Sequence, residues 1–177
     1  ADPHLIYSMD TYDRINKSRS IYIGDHVWIG QHALLLKGTH IHSGSIIGAH
    51  CVLSGKRVTS NVSFAGNPGR QVSERIFWDE KCVHKWKKAT TKANAHYAED
   101  DQYVFSNDPD HQLSFSRLEK DINSNTSSEQ RLKLLLSINP HKNRFAFFPT
   151  EKNARGIRKL KHRFRLWLKK ILLRILK

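Results

Sequence analysis

Histidine is the residue type most available for chemistry here. Eleven occur among 177 residues, and an imidazole titrates close enough to neutrality to take up a proton and return it. One of them, His4, stands in the run Asp2-Pro3-His4-Leu5-Ile6-Tyr7. Five more, His26, His32, His40, His42 and His50, fall between residues 26 and 50 and read mainly as surface residues. No serine or cysteine sits in an activated setting, so a covalent acyl-enzyme is not expected. Of the two cysteines, Cys51 reads as a packed thiol and Cys82 has no partner by spacing. No CxxC or repeated Cys/His spacing forms a metal framework, and no metal is expected.

What must position these groups is a ladder from Ile21 to Ala65. Steps of six from Ile23 give Ile23, Ile29, Leu35, Ile41, Ile47 and Leu53, every one a branched aliphatic. Two residues before each rung stand Ile21, Val27, Ala33, Thr39, Ser45 and Cys51, mostly small or β-branched. Neither a helix nor an ordinary strand returns every six residues. A coil of short parallel strands does, because each turn stacks one large residue over another. Three hexads per turn give about two coils, with Val62 and Phe64 continuing the ladder and Gly66-Asn67-Pro68-Gly69 stopping it. Two coils bury too little and leave a strand edge open. The expectation is a catalytic end of a longer coil, supported by oligomerisation. Trp28 lies between ladder positions Val27 and Ile29 and should point away from the core.

The formal charge is +14, but its source is local. Ten Lys and Arg lie between 155 and 177 with no acid, and the rest of the chain holds 20 basic against 16 acidic residues. A dispersed nucleic-acid footprint is therefore not expected. In the tail, Leu160, Phe164, Trp167, Leu168, Ile171, Leu172 and Ile175 form an amphipathic stripe, with Lys and Arg largely off it. That pattern suits a helix lying on an anionic membrane surface through 158–177. No apolar run approaches the roughly 18 residues needed to span a bilayer. Between ladder and tail, Gln71 to Lys92 reads as helical, with Val72, Ile76, Val83 and Trp86 among charges. Asn107-Asp108-Pro109-Asp110 reads as a loop. Ser114 to Lys120 and Ser127 to Ile138 read as two helices, and Arg144 to Phe148 as an aromatic patch. No chemistry is assigned between Ala93 and Thr150.

The ladder, the run Ile23-Gly24-Asp25-His26-Val27-Trp28-Ile29-Gly30 and the terminal Ala65-Gly66-Asn67-Pro68-Gly69-Arg70 together resemble the hexapeptide-repeat acyltransferases. More narrowly, they are similar to bacterial O-acetyltransferases of sugars, including the capsular sialic-acid group. The resemblance covers roughly residues 2 to 73. It implies a mainly β fold, a left-handed parallel β-helix, an exception to right-handed crossovers. It also implies a homotrimer that binds acetyl-CoA between neighbouring subunits. By the same resemblance His4 is the general base that takes a proton from the acceptor hydroxyl, with Asp2 and Asp10 as candidate acidic partners. Arg14-Ile15-Asn16 resembles the stretch between base and ladder. Trp28 packs on the acetyl-CoA arm or guards the acetyl group, or else packs between subunits. Gly48 and Ala49 border the pantetheine arm, Ser54 and Lys56 lie near the cofactor, and Arg70 meets a CoA phosphate.

The resulting expectation is an acetyl-CoA-dependent O-acetyltransferase of a bacterial surface carbohydrate, such as capsular polysaccharide, sialic acid or a lipopolysaccharide sugar. It would sit in the cytoplasm, peripheral on the inner membrane. The organisation expected is a β-helix part at 1–73, a helical or irregular extension at 74–154 and a basic amphipathic terminal helix at 155–177. Two alternatives stay open: an N-acetyltransferase of a nucleotide-linked amino sugar, and a non-catalytic trimeric remnant.

Overall fold

The computed structural model describes residues 3–94 and 102–149. Residues 1–147 form one compact unit and 148–177 a second. The expected terminal helix lies outside the described residues.

The hexads form a coil of two-residue strands. These are β1 (Tyr22–Ile23), β2 (Trp28–Ile29), β3 (Leu34–Leu35), β4 (His40–Ile41), β5 (Ile46–Ile47), β6 (Val52–Leu53) and β7 (Arg57–Val58), followed by β8 (Val62–Ala65). They build three parallel faces: β1-β4-β7, β2-β5-β8 and β3-β6. Between the first and second coils the register is 18 residues, Tyr22 opposite His40 and Trp28 opposite Ile46. Below that it is 17, with Ile41 over Val58 and Ile47 over Phe64. The six-residue step thus shortens to five between Leu53 and Val58, at the Ser54-Gly55-Lys56 turn where Gly55 takes a positive φ of 57°. The rung moves from residue 59 to Val58, which brings an aliphatic rather than Thr59 into line.

Burial follows position in the stack. Ile41, Ile47 and Leu53 are fully buried, and Cys51, Val58, Val62 and Phe64 complete their cluster. The upper rungs Ile23 and Ile29 remain 45% and 40% exposed, as expected for an uncovered strand edge. Burial also pushes the Cys51 thiol pKa upward, so Cys51 is the packed thiol expected.

The lower end is closed by the chain itself. Val52 N–H donates to Gly66 O at 3.1 Å and Gly69 N–H to Val52 O at 2.8 Å, so the Gly66–Gly69 turn seals the third face. Then β9 (Arg70–Glu74) returns antiparallel along β8. This corrects the helical reading of Gln71 to Lys92: only α1 (Lys88–Asn94) is α-helical there, after a 3-10 turn at Val83–Lys85. The physical reason is that β8 offers an unpaired edge whose backbone groups need partners. Val72, Val83 and Trp86 are exposed and make no buried stripe.

Residues 102–147 pack against the coil. Phe105 fills the space beside Gly44, where an added Cβ would stand 2.6 Å from its ring. Helices α2 (Phe115–Ser124) and α3 (Ser128–Leu136) fall close to the two expected spans, each with a serine side chain capping its N-terminus. Phe115 stacks on Tyr22 at 4.9 Å and on His42 at 5.0 Å, covering the β1-β4-β7 face. Extended residues after the 3-10 turn at Lys142–Phe145 run across the coils: Ser43 N–H donates to Phe145 O and Ser60 N–H to Phe147 O. Arg144 clamps Asp25 through two bonds of 2.8 and 2.9 Å, which raises the guanidinium pKa.

Asn61 holds these parts together. Its Nδ2 donates to Ile76 O and Tyr103 O, both at 2.9 Å, and its Oδ1 accepts from Phe105 N–H at 3.0 Å. It is buried and takes a left-handed φ of 54°, which asparagine tolerates better than most residues. Asn61→Ala leaves buried partners unsatisfied and is expected to cost about 1–3 kcal/mol, read as a lower midpoint in urea unfolding with the m-value unchanged.

Candidate functional site

His4 lies just before a hairpin that precedes the coil. Tyr7 bridges Arg14 antiparallel, Ser8 N–H donates to Asp13 O, and Ile15 N–H donates to Ile6 O. Asn16 anchors the hairpin from a buried position. Its Nδ2 donates to His4 O at 2.7 Å and its Oδ1 accepts from Ile6 N–H at 3.1 Å. The His4 carbonyl and the backbone just after it are therefore fixed to one residue, while the side chain stands exposed. Among the described residues no hydrogen bond or ion pair engages its ring. Asp2 lies outside the described residues, and Asp10 is tied to Ser8 Oγ through its backbone.

Trp28 sits on β2 with 52% of its surface exposed, outside the core as its place in the ladder requires. Its ring leans on Trp78 at 5.7 Å. Trp78 is held in turn: its indole N–H donates to His26 O, and its ring stacks on the His26 imidazole at 4.0 Å. Tyr103 stacks on that imidazole at 4.4 Å. Sequence reasoning missed this support, because Trp78 fell within a span read as helical and carries no periodic signal. The histidines also need correcting: His42 is buried, its Nδ1 paired with Phe145 O at 3.1 Å, and His26 is stacked rather than free.

Trp28 and Arg70 lie in one sheet, β2-β5-β8-β9, and Gly48 and Ala49 stand at its edge. Gly48 and Ala49 follow β5 directly, and Arg70 opens β9 opposite Ala65. At Gly48 an added Cβ would come 3.3 Å from both Ala65 Cβ and Phe64 O, so the coil beneath limits its size. Ala49 and Arg70 are exposed. Ser54 and Lys56 lie on the five-residue turn between the third and first faces, also exposed, and Lys56 O accepts from His40 N–H at 2.8 Å. No bond or ring contact among the described residues joins His4 to this group.

Residues 20–55 match the bacterial transferase hexapeptide family (six repeats). That match covers strands β1 to β6, the coil of short parallel strands that the hexads predict. A polysialic acid O-acetyltransferase from Neisseria meningitidis is 39% identical over 83 residues, 47% of this chain and 39% of its own length. A chloramphenicol acetyltransferase from Klebsiella aerogenes is 33% identical over 69 residues, 39% of this chain and 32% of its own. The crystal structure of the polySia-specific acetyltransferase NeuO is 30% identical with a TM-score of 0.46, covering 54% of this chain and 45% of that one. The chain thus spans less than half the length of each of these relatives. Among the described residues, no helix is long and apolar enough to cross a membrane.

Proposed function

We propose that this chain is part of an acetyl-CoA-dependent O-acetyltransferase acting on a bacterial surface carbohydrate, with sialic acid polymers as the first acceptor to try. One observation carries the reading: an exposed histidine, held by Asn16 at its backbone, stands upstream of a hexapeptide coil in a chain 39% identical over 83 residues to a polysialic acid O-acetyltransferase. His4 accepts the proton of the acceptor hydroxyl as that oxygen attacks the acetyl carbon. Acetyl-CoA supplies the activated thioester. The exposed indole of Trp28, the small Ala49 and the free-standing Arg70 side chain fit an elongated thioester carrying phosphates, with Ser54 and Lys56 further along the coil. A trimer places a second subunit beside this sheet.

The test is CoA release on mixing the protein with acetyl-CoA and polysialic acid, against matched amino-sugar and chloramphenicol acceptors. Turnover on the hydroxyl polymer is expected. Turnover confined to an amino acceptor, or no CoA release from a folded preparation, would sink the reading. The tail at 158–177 is proposed to hold the enzyme on anionic membrane at the inner face. Deleting 156–177 is expected to abolish flotation with phosphatidylserine-containing vesicles, and equal flotation without it would refute that role.

A further inference from the structure

The stretch to which sequence reasoning assigned no chemistry contains a cluster of a different kind. Asp108-Pro109-Asp110-His111 forms a turn, with His111 N–H donating to Asp108 O at 3.2 Å and Gln112 N–H at 2.8 Å; aspartate first and proline second suit such a turn. The turn brings His111 Nδ1 to 3.0 Å from Asp108 Oδ2. His141, immediately before the 3-10 turn at Lys142–Phe145, places its own Nδ1 3.6 Å from the same oxygen. The two imidazoles lie face to face, 3.9 Å apart and 13° from parallel.

His111 Nδ1 lies at hydrogen-bond distance, 3.0 Å, from Asp108 Oδ2. Asn143 N–H donates to His141 Nδ1 at 3.2 Å, so that nitrogen presents a lone pair, not a proton. Asp108 Oδ2 presents lone pairs as well, and neither atom can donate to the other across 3.6 Å. A metal ion would accept lone pairs from all three side chains, displacing the Asn143 N–H from His141 Nδ1 and the hydrogen bond between His111 Nδ1 and Asp108 Oδ2.

We infer that Asp108, His111 and His141 form a divalent transition-metal site. One ligand atom from each lies within 4.8 Å of the other two. Bonds of about 2.1 Å in tetrahedral array set ligand atoms about 3.4 Å apart, and the observed 3.0 and 3.6 Å bracket that value. The histidine rings rotate into place about χ2, a broad torsion. Two imidazoles with one carboxylate favour Zn²⁺, Co²⁺ or Ni²⁺ over Mg²⁺ or Ca²⁺. The side chains are 22–41% exposed, which leaves an entry path and a fourth position for water. The site pins the 108–111 turn to the segment that delivers Arg144 and Phe145 to the coil. It is independent of the acetyl-transfer reading.

Titration of the full chain with ZnCl₂ by calorimetry, and with CoCl₂ by visible absorption, tests the site. Zn²⁺ is expected to bind and raise the Tm, and Co²⁺ to give ligand-field bands of a low-coordinate centre. His111→Gln and His141→Gln should each weaken Zn²⁺ binding at least about tenfold, the least that even the loss of an outer partner costs, and should remove the Tm response. Asp108→Asn, nearly isosteric, should do the same and serves if a histidine variant does not fold. His32→Gln/His50→Gln, removing the other stacked pair at 5.1 Å, should leave binding unchanged. No Zn²⁺ binding by the unaltered chain, or equal binding by folded Asp108→Asn, would overturn the assignment.

Discussion

Replacing His4 by alanine is expected to lower acetyl transfer by about 100-fold or more while leaving the unfolding midpoint where it was. The first half follows from its role, since a positioned base contributes on that scale. The second follows from its surroundings. The ring is exposed and makes no hydrogen bond among the described residues, and surface changes of that kind stay within about 0.5 kcal/mol. Asn16 bonds the His4 carbonyl and the Ile6 N–H, so the hairpin keeps its shape when the side chain is cut back. Activity and stability therefore separate in this one variant. CoA release measured alongside thermal unfolding reads both, and unimpaired release would remove His4 from the mechanism.

Acid should destabilise the protein through His42. Burial pushes its pKa down from 6.5 to about 4, against the opposing pull of the Phe145 carbonyl, and Arg57 and His40 lower it further. The buried ring is neutral, with Nδ1 donating to Phe145 O and Nε2 lacking a hydrogen-bond partner among the described residues. In the unfolded chain it protonates near 6.5, so the unfolded state gains protons first as pH falls. Stability from this group is full above pH 6.5 and declines as pH drops through about 4. Spread over that window, the loss is about 3 kcal/mol. Urea unfolding at pH 7.5 and pH 4.0 should show it, and His42→Asn should remove that part of the slope. If the two proteins lose stability in parallel, His42 is not the group responsible.

Much of the β-helix could be read from the sequence because one physical rule generates it. A stacked rung must be large and apolar, and Ile41, Ile47 and Leu53 satisfy that rule every six residues. The rule fails where a local event replaces it. Nothing in the spacing announces that the step to Val58 is five, since Gly55 is equally compatible with six. The return of β9 was hidden for a related reason: a strand that pairs with one neighbour and faces solvent has no periodic apolar demand. The candidate site divides the same way. Trp28 was legible because its neighbours are rungs. Trp78 and His26, which hold it, meet across 52 residues. His42 was misjudged because its cover, Phe115, Phe145 and Phe147, comes from far along the chain.

The antiparallel closure by β9 gives the coil two unlike ends. A solenoid with bare strands at both ends could polymerise by adding copy upon copy along its axis, each continuing the hydrogen-bonding of the last. Here the downward-facing edge of β8 is already occupied by a strand of opposite direction. A parallel strand of another copy therefore cannot pair with that edge of β8.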